Sequence, residues 1–132
     1  MYSFSTTVRL HHTDAAGILF FANLFIIAHE CYETYLDPEV NFHFMFNEKK
    51  LMMPIVHAGA DYLKPLRVSD RITIQLRLKE IGKSSFHLGY DIFNEDGEMS
   101  ATVETSHVVR NKDGSATISL PDVLREKLES LK

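Results

Sequence analysis

The chain holds one cysteine, Cys31, among its 132 residues, so no internal disulfide can staple it. Long apolar runs are absent as well. Nothing approaches the roughly 20 apolar residues that span a bilayer or the apolar core of a secretory signal, and a cytoplasmic address is the expectation. Positive charge is scarce: 14 Lys and Arg face 18 Asp and Glu, a formal net charge of -4. A chain with that balance has no long-range pull on phosphate backbones or anionic lipid, so neither a nucleic acid nor a membrane is expected as a partner. Repeats, low-complexity tracts and linkers are missing too, and residues 1–132 are expected to form one domain. With 45% hydrophobic and 24% charged residues the composition is that of a globular protein.

The alternation of Phe4, Thr6, Val8 and Leu10 predicts a first strand over residues 4–10. From Ala22 to Leu36 the apolar residues Leu24, Ile27, Ala28, Cys31 and Tyr35 recur at steps of three and four, the mark of a largely buried helix. Asp37-Pro38 is expected to stop it, because proline lacks an N–H and disfavours helical geometry in the residue before it. Residues 39–50 carry Phe42, Phe44, Met45 and Phe46 without a clean period and suggest a short helix or a flap beside a pocket. Strand patterns follow over 53–65, 71–79, 86–92 and 99–109. Short turns at Gly82-Lys83-Ser84, Asn94–Gly97 and Asn111–Gly114 predict an antiparallel meander. Pro121-Asp122 opens a final surface helix with Leu124, Leu128 and Leu131. A single sheet with one apolar face needs a cover, and the aromatic-rich helix is the natural one: an α+β arrangement.

Between the first strand and that helix lies Thr13-Asp14-Ala15-Ala16-Gly17-Ile18-Leu19-Phe20-Phe21-Ala22-Asn23, where a lone carboxylate sits beside a glycine among large apolar side chains. Asp14 is either a helix-cap or turn residue, or a catalytic group kept partly dry by its neighbours. Gly17 can be an ordinary turn glycine or the point where backbone approaches a ligand, and the two readings are compatible. Seven histidines raise the question of a metal, with His11, His12, Asp14 and His29 as candidate ligands. No His-x-x-x-His or His-Glu-x-x-His element is present, and adjacent His11 and His12 would face opposite ways in a strand, so no metal is expected.

This motif and the order of elements resemble the hot-dog fold, a curved antiparallel sheet around a long helix, and more narrowly the 4-hydroxybenzoyl-CoA thioesterase family. His29-Glu30-Cys31-Tyr32-Glu33, Pro54-Ile55-Val56-His57-Ala58 and Asp61-Tyr62-Leu63-Lys64-Pro65-Leu66 are most similar to the branch that hydrolyses 1,4-dihydroxy-2-naphthoyl-CoA in quinone biosynthesis. The hydroxybenzoyl branch is expected to carry an acid where this chain has His29, which disfavours 4-hydroxybenzoyl-CoA itself.

The resemblance implies hydrolysis of an aromatic acyl-CoA, with Asp14 as general base or nucleophile and the backbone N–H of Phe21 as oxyanion donor; coenzyme A is part of the substrate and no cofactor is expected. His29 can hydrogen-bond a ring hydroxyl or orient a water, with a plain polar helix edge as the alternative. Thr13 is expected near the substrate. His57 is either a pocket residue or a core or interface histidine, and Lys83 and Ser84 either meet the CoA phosphates or sit on a solvated turn. Phe20, Phe21, Phe25, Tyr32, Phe42, Phe44 and Phe46 would suit a flat ring or simply pack the core. Family members pair into homodimers and homotetramers with sites between subunits. The competing readings are a short- or medium-chain acyl-CoA or acyl-carrier-protein thioesterase, and a non-catalytic hot-dog protein that binds a thioester or a protein partner. A hot-dog dehydratase would need an acid–base pair that these motifs do not resemble.

Overall fold

A computed structural model describes residues 1–132. Five strands form one antiparallel sheet: β1 (Tyr2–Thr7), β2 (Ile55–Tyr62), β3 (Arg71–Ile81), β4 (Ser85–Phe93) and β5 (Met99–Val108), in the order β1-β3-β4-β5-β2. A long helix, α1 (Asn23–Val40), lies against one face, and a short one, α2 (Asp122–Glu129), packs beside it. This is the hot-dog arrangement.

The period-two pattern decides which face is covered. Ile72, Ile74 and Leu76 of β3 and Phe86, Leu88, Tyr90 and Ile92 of β4 are buried, and Ile74 pairs with Ile92 and Leu76 with Tyr90 across the ladder. On α1 the buried residues Leu24, Ile27, Ala28, Cys31, Tyr32, Leu36 and Val40 make the stripe that fills the sheet's concavity. Each such aliphatic or aromatic side chain contributes about 1.5–3 kcal/mol relative to exposure.

Several elements depart from what the pattern predicts. The first strand spans Tyr2–Thr7 rather than 4–10; the chain then leaves the sheet through a 3-10 turn at Leu10–His12, with Leu10 exposed. His11 and His12 are therefore not on opposite faces of a strand, and their rings meet at a tilt of 49° with centroids 4.1 Å apart. Helix α1 continues through Pro38 and ends at Asn41, whose φ of 59° is left-handed. Leu36 and Val40, buried on either side of the proline, hold that last turn in place, while Asp37 caps it by accepting from Phe42 N–H at 2.9 Å. Residues 44–48 form one π-helical turn that buries Met45.

The meander covers β3 to β5 alone. Strand β2 sits on the far edge, against β5, so the chain crosses from one edge towards the other between β2 and β3. Three strand spacings are about 14 Å, well within reach of the eight connecting residues. This strap is tied down by Leu63 and Lys64 N–H donating to Ser100 O, and by Leu66 O and Val68 N–H pairing with Leu19 and Gly17. The turn at 111–114 closes a single bridge, Arg110 to Thr117, rather than a hairpin of strands. The last helix is no surface helix: Leu124 and Leu128 are fully buried and Leu131 nearly so.

Candidate active site

The strap and the first loop build the site together. After β1, Val8 pairs with Asp70 and Ser69, and the chain turns back so that Thr13 bridges Leu19 and Ile18 bridges Arg67. Asp14 closes this loop from inside. Its N–H donates to Ile18 O at 2.9 Å, its carbonyl accepts from Gly17 N–H at 3.0 Å, and its Oδ1 accepts from Ala16 N–H at 2.8 Å and Ile18 N–H at 3.3 Å. The turn reading of Asp14 is thus realised, and it leaves Oδ2 without a partner. Asp14 is exposed in the single chain rather than sheltered by its neighbours. Gly17 has a φ of +74°, and its carbonyl accepts from Val68 N–H, so it makes the turn and anchors the strap.

Asn23 fixes the loop to the helix: its Nδ2 donates to His12 O at 2.9 Å, the same carbonyl that takes the Phe20 N–H. Between these anchors the N–H groups of Phe21 and Ala22 have no acceptor in the chain. They stand at the positive end of α1, where a developing oxyanion is stabilised. Tyr62 holds this segment by donating its hydroxyl proton to Phe21 O. Asn23 and Tyr62, to which the sequence motifs assign no role, both support the Phe21 backbone.

His29 lies two turns further along α1, roughly 12 Å from Phe21. It lines a groove of about 330 Å³ with Phe25, Ile26, Glu30 and Glu33 of the helix, Ile55 and Ala58 of β2, and Tyr90 and Thr105 on its floor. His29 and Glu33 share this wall but form no ion pair. The His29 ring stacks on Tyr32 at 5.0 Å, Tyr32 on His107 at 4.9 Å, and His107 on Phe86 at 4.6 Å. Burial pushes the His107 pKa down to about 3. Sequence reasoning passed over Tyr90, Thr105 and His107 because they read as ordinary inward positions of strands.

The other candidates are scattered. Thr13 donates its hydroxyl to Leu10 O at 2.7 Å, which closes the 3-10 turn. His57 is not a core histidine: it is exposed on the helix-distal face of the sheet, with Nε2 3.4 Å from Glu104. Lys83 and Ser84 lie on the β3–β4 turn, ten or more residues along β3 from the Asp14 end and roughly 33 Å away. Their carbonyls are used internally, that of Lys83 by Leu120 and Arg125 and that of Ser84 by Val109. The aromatic set divides: Phe25 lines the groove, Tyr32 is buried with the half-buried Phe42 and Phe46 packed in line beside it, Phe20 and Phe21 form an exposed pair, and Phe44 is exposed beneath Lys49. No three His, Cys, Asp or Glu side chains are grouped to hold a metal ion.

A carboxylate with one free oxygen, beside a helix start with free N–H groups, on a sheet wrapped around that helix, is the layout of a thioesterase-type hot-dog domain. The profile of the thioesterase-like superfamily matches residues 8–128, and the chain belongs to that superfamily. Within it, the chain is 35% identical to a 1,4-dihydroxy-2-naphthoyl-CoA hydrolase of Gloeothece citriformis, over 94% of this chain and 89% of that one. It is 33% identical to the enzyme of the same name in Nostoc punctiforme, over 98% and 87%. The crystal structure of a 1,4-dihydroxy-2-naphthoyl-CoA thioesterase from Synechocystis superposes with a TM-score of 0.92 at 25% identity, covering 98% of this chain and 96% of that one.

Proposed function

We propose that this protein is a cytoplasmic acyl-CoA thioesterase that hydrolyses an aromatic acyl-CoA to the free acid and CoA, with 1,4-dihydroxy-2-naphthoyl-CoA in quinone biosynthesis as its substrate. The observation that carries the reading is the pairing of Asp14, whose Oδ2 is free, with the unpaired Phe21 N–H one short loop away. The carboxylate activates water, or itself attacks the thioester carbon, while the N–H holds the carbonyl oxygen as it becomes an anion. Water and the chain's own groups suffice for this reaction, so no cofactor is required. The apolar groove beside His29 takes the ring, and relatives that act on a naphthoyl ester at 33–35% identity support that choice of acyl group.

The working unit is an oligomer. Strand β2 is an unpaired edge, and Ile55, Val56, Tyr62 and Leu63 along it are exposed, together with Phe20, Phe21 and Ile26 at the start of α1. A second copy pairing along β2 covers this apolar strip and shelters Asp14, and two such homodimers make a homotetramer. Lys83 and Ser84, remote from Asp14 within one chain, then serve the CoA phosphates from a neighbouring chain.

The test is release of CoA thiol from dihydroxynaphthoyl-CoA, hydroxybenzoyl-CoA, benzoyl-CoA and straight-chain acyl-CoAs by wild type and Asp14→Asn. The expected result is a strong preference for the naphthoyl ester and a loss of about 10²–10⁴-fold in the variant. Preference for straight-chain esters would favour the short- or medium-chain alternative, unimpaired hydrolysis by Asp14→Asn would put the catalytic group elsewhere, and no hydrolysis of any ester would favour a binding protein.

A further inference from the structure

The floor of the groove holds a polar chain that hydrolysis does not use. His107 is fully buried between the rings of Tyr32 and Phe86. Its Nε2 lies 2.8 Å from Thr105 Oγ1, Thr105 Oγ1 lies 3.0 Å from Tyr90 Oη, and His107 Nδ1 is buried with no partner. Tyr90 and Thr105 both line the groove.

The orphan nitrogen decides where the protons are. Burial keeps the imidazole neutral, so one ring nitrogen carries hydrogen. A proton on Nδ1 would be a buried donor with no acceptor, which costs more than a bare lone pair. The proton therefore sits on Nε2 and is donated to Thr105. Two hydroxyl protons remain, those of Thr105 and Tyr90, and a single contact joins their oxygens. One proton fills that contact. The other has no acceptor within the fold, and both oxygens belong to residues that line the groove.

We infer that the Tyr90–Thr105 hydroxyl pair, with its direction set by His107, is the specificity determinant of the acyl groove, donating one hydrogen bond to an oxygen on a hydroxylated or oxo-bearing aromatic ring. This rests on the aromatic acyl-CoA reading above and adds the group that reads the ring. Phe25, Ile26 and Ile55 supply apolar walls that accept any flat or aliphatic group. A ring without an oxygen at this depth leaves the spare proton unpaired and is penalised for it, and the penalty is the source of discrimination.

The experiment compares kcat/KM for 4-hydroxy-2-naphthoyl-CoA, whose hydroxyl points away from the thioester, and 2-naphthoyl-CoA in wild type, Tyr90→Phe and the Tyr90→Phe/Thr105→Val double variant. Wild type is expected to prefer the hydroxylated ester by about tenfold or more. Tyr90→Phe, which keeps the ring and the packing, lowers the ratio, and the double variant removes the preference. A double variant with the wild-type ratio overturns the assignment. Calorimetric binding of 4-hydroxy-2-naphthoate and 2-naphthoate scores the same hydrogen bond without turnover: wild type that hydrolyses neither ester refutes the thioesterase reading, whereas equal affinity for the two acids refutes the donor. Nitrogen-15 NMR of His107 in the wild-type protein checks the direction without any variant. A proton on Nε2 is expected; a proton on Nδ1 would draw the Thr105 proton towards the imidazole, leave no spare donor and overturn the inference.

Discussion

Asp14 has two carboxylate oxygens, and the loop occupies one of them. Oδ1 holds Ala16 and Ile18 in place, and Oδ2 has no partner within the chain, which is the oxygen the proposed reaction uses. Structure and reaction can therefore be separated by substitution. Asparagine keeps an acceptor for the two N–H groups, so Asp14→Asn is expected to melt like wild type while losing turnover. Asp14→Ala loses both and is expected to be less stable by about 1 kcal/mol, read from chemical denaturation. His107 makes a different kind of prediction. Its folded pKa of about 3 lies below the ordinary 6.5, so as pH falls from 6.5 towards 3 the unfolded chain takes up a proton that the folded chain refuses. Stability then drops with falling pH over that window, and His12, also lowered by burial, adds to the fall. The slope of unfolding free energy between pH 6 and 4 is expected to flatten in a His107→Gln variant. Of these residues Asp14 was legible in the chain because it sits in a motif with its glycine. His107 was not, since alternation marks it only as an inward strand position, and its meaning comes from two rings brought in by α1 and β4, Tyr32 and Phe86, and from the Thr105 hydroxyl of its own strand.

The strands and α1 were legible for a simple reason: each buries one face, and burial imposes its period on the residues that bear it. What periodicity does not carry is the identity of the neighbour. Nothing in Ile55–Tyr62 says that it pairs with β5 rather than β3, so the crossover strap, and with it the anchoring of Gly17, had to come from the structure. Pro38 misleads in the opposite direction: one missing N–H near the end of a helix is outweighed by Leu36 and Val40 packing on both sides of it. Helix α2 has a short apolar stripe that reads as surface, yet it closes the core beside α1, with Tyr35 Oη donating to Lys127 O at 2.9 Å and Lys127 paired with Glu39 at 3.1 Å. Leu128→Ala is accordingly expected to cost about 2–5 kcal/mol in urea or thermal unfolding, the penalty of a core cavity. A surface helix would lose well under 1 kcal/mol.

At the scale of the molecule the open edge of β2 is the feature with the widest reach. Val56, 55% exposed on this edge, is a place where a charge harms nothing in the single chain. Val56→Lys is expected to shift sedimentation from the dimer or tetramer to the monomer, and hydrolysis is expected to fall with it; full activity in a monomeric variant would show that the site is complete within one chain. If β2 is where copies meet, assembly and catalysis share one equilibrium. Specific activity then falls on dilution below the dimer dissociation constant, progress curves started from dilute stock show a lag, and an inactive Asp14→Asn chain mixed with wild type at fixed total concentration lowers activity in proportion to its share if each site draws its carboxylate from one chain only. The unpaired edge would make the concentration of the enzyme itself one of its regulators.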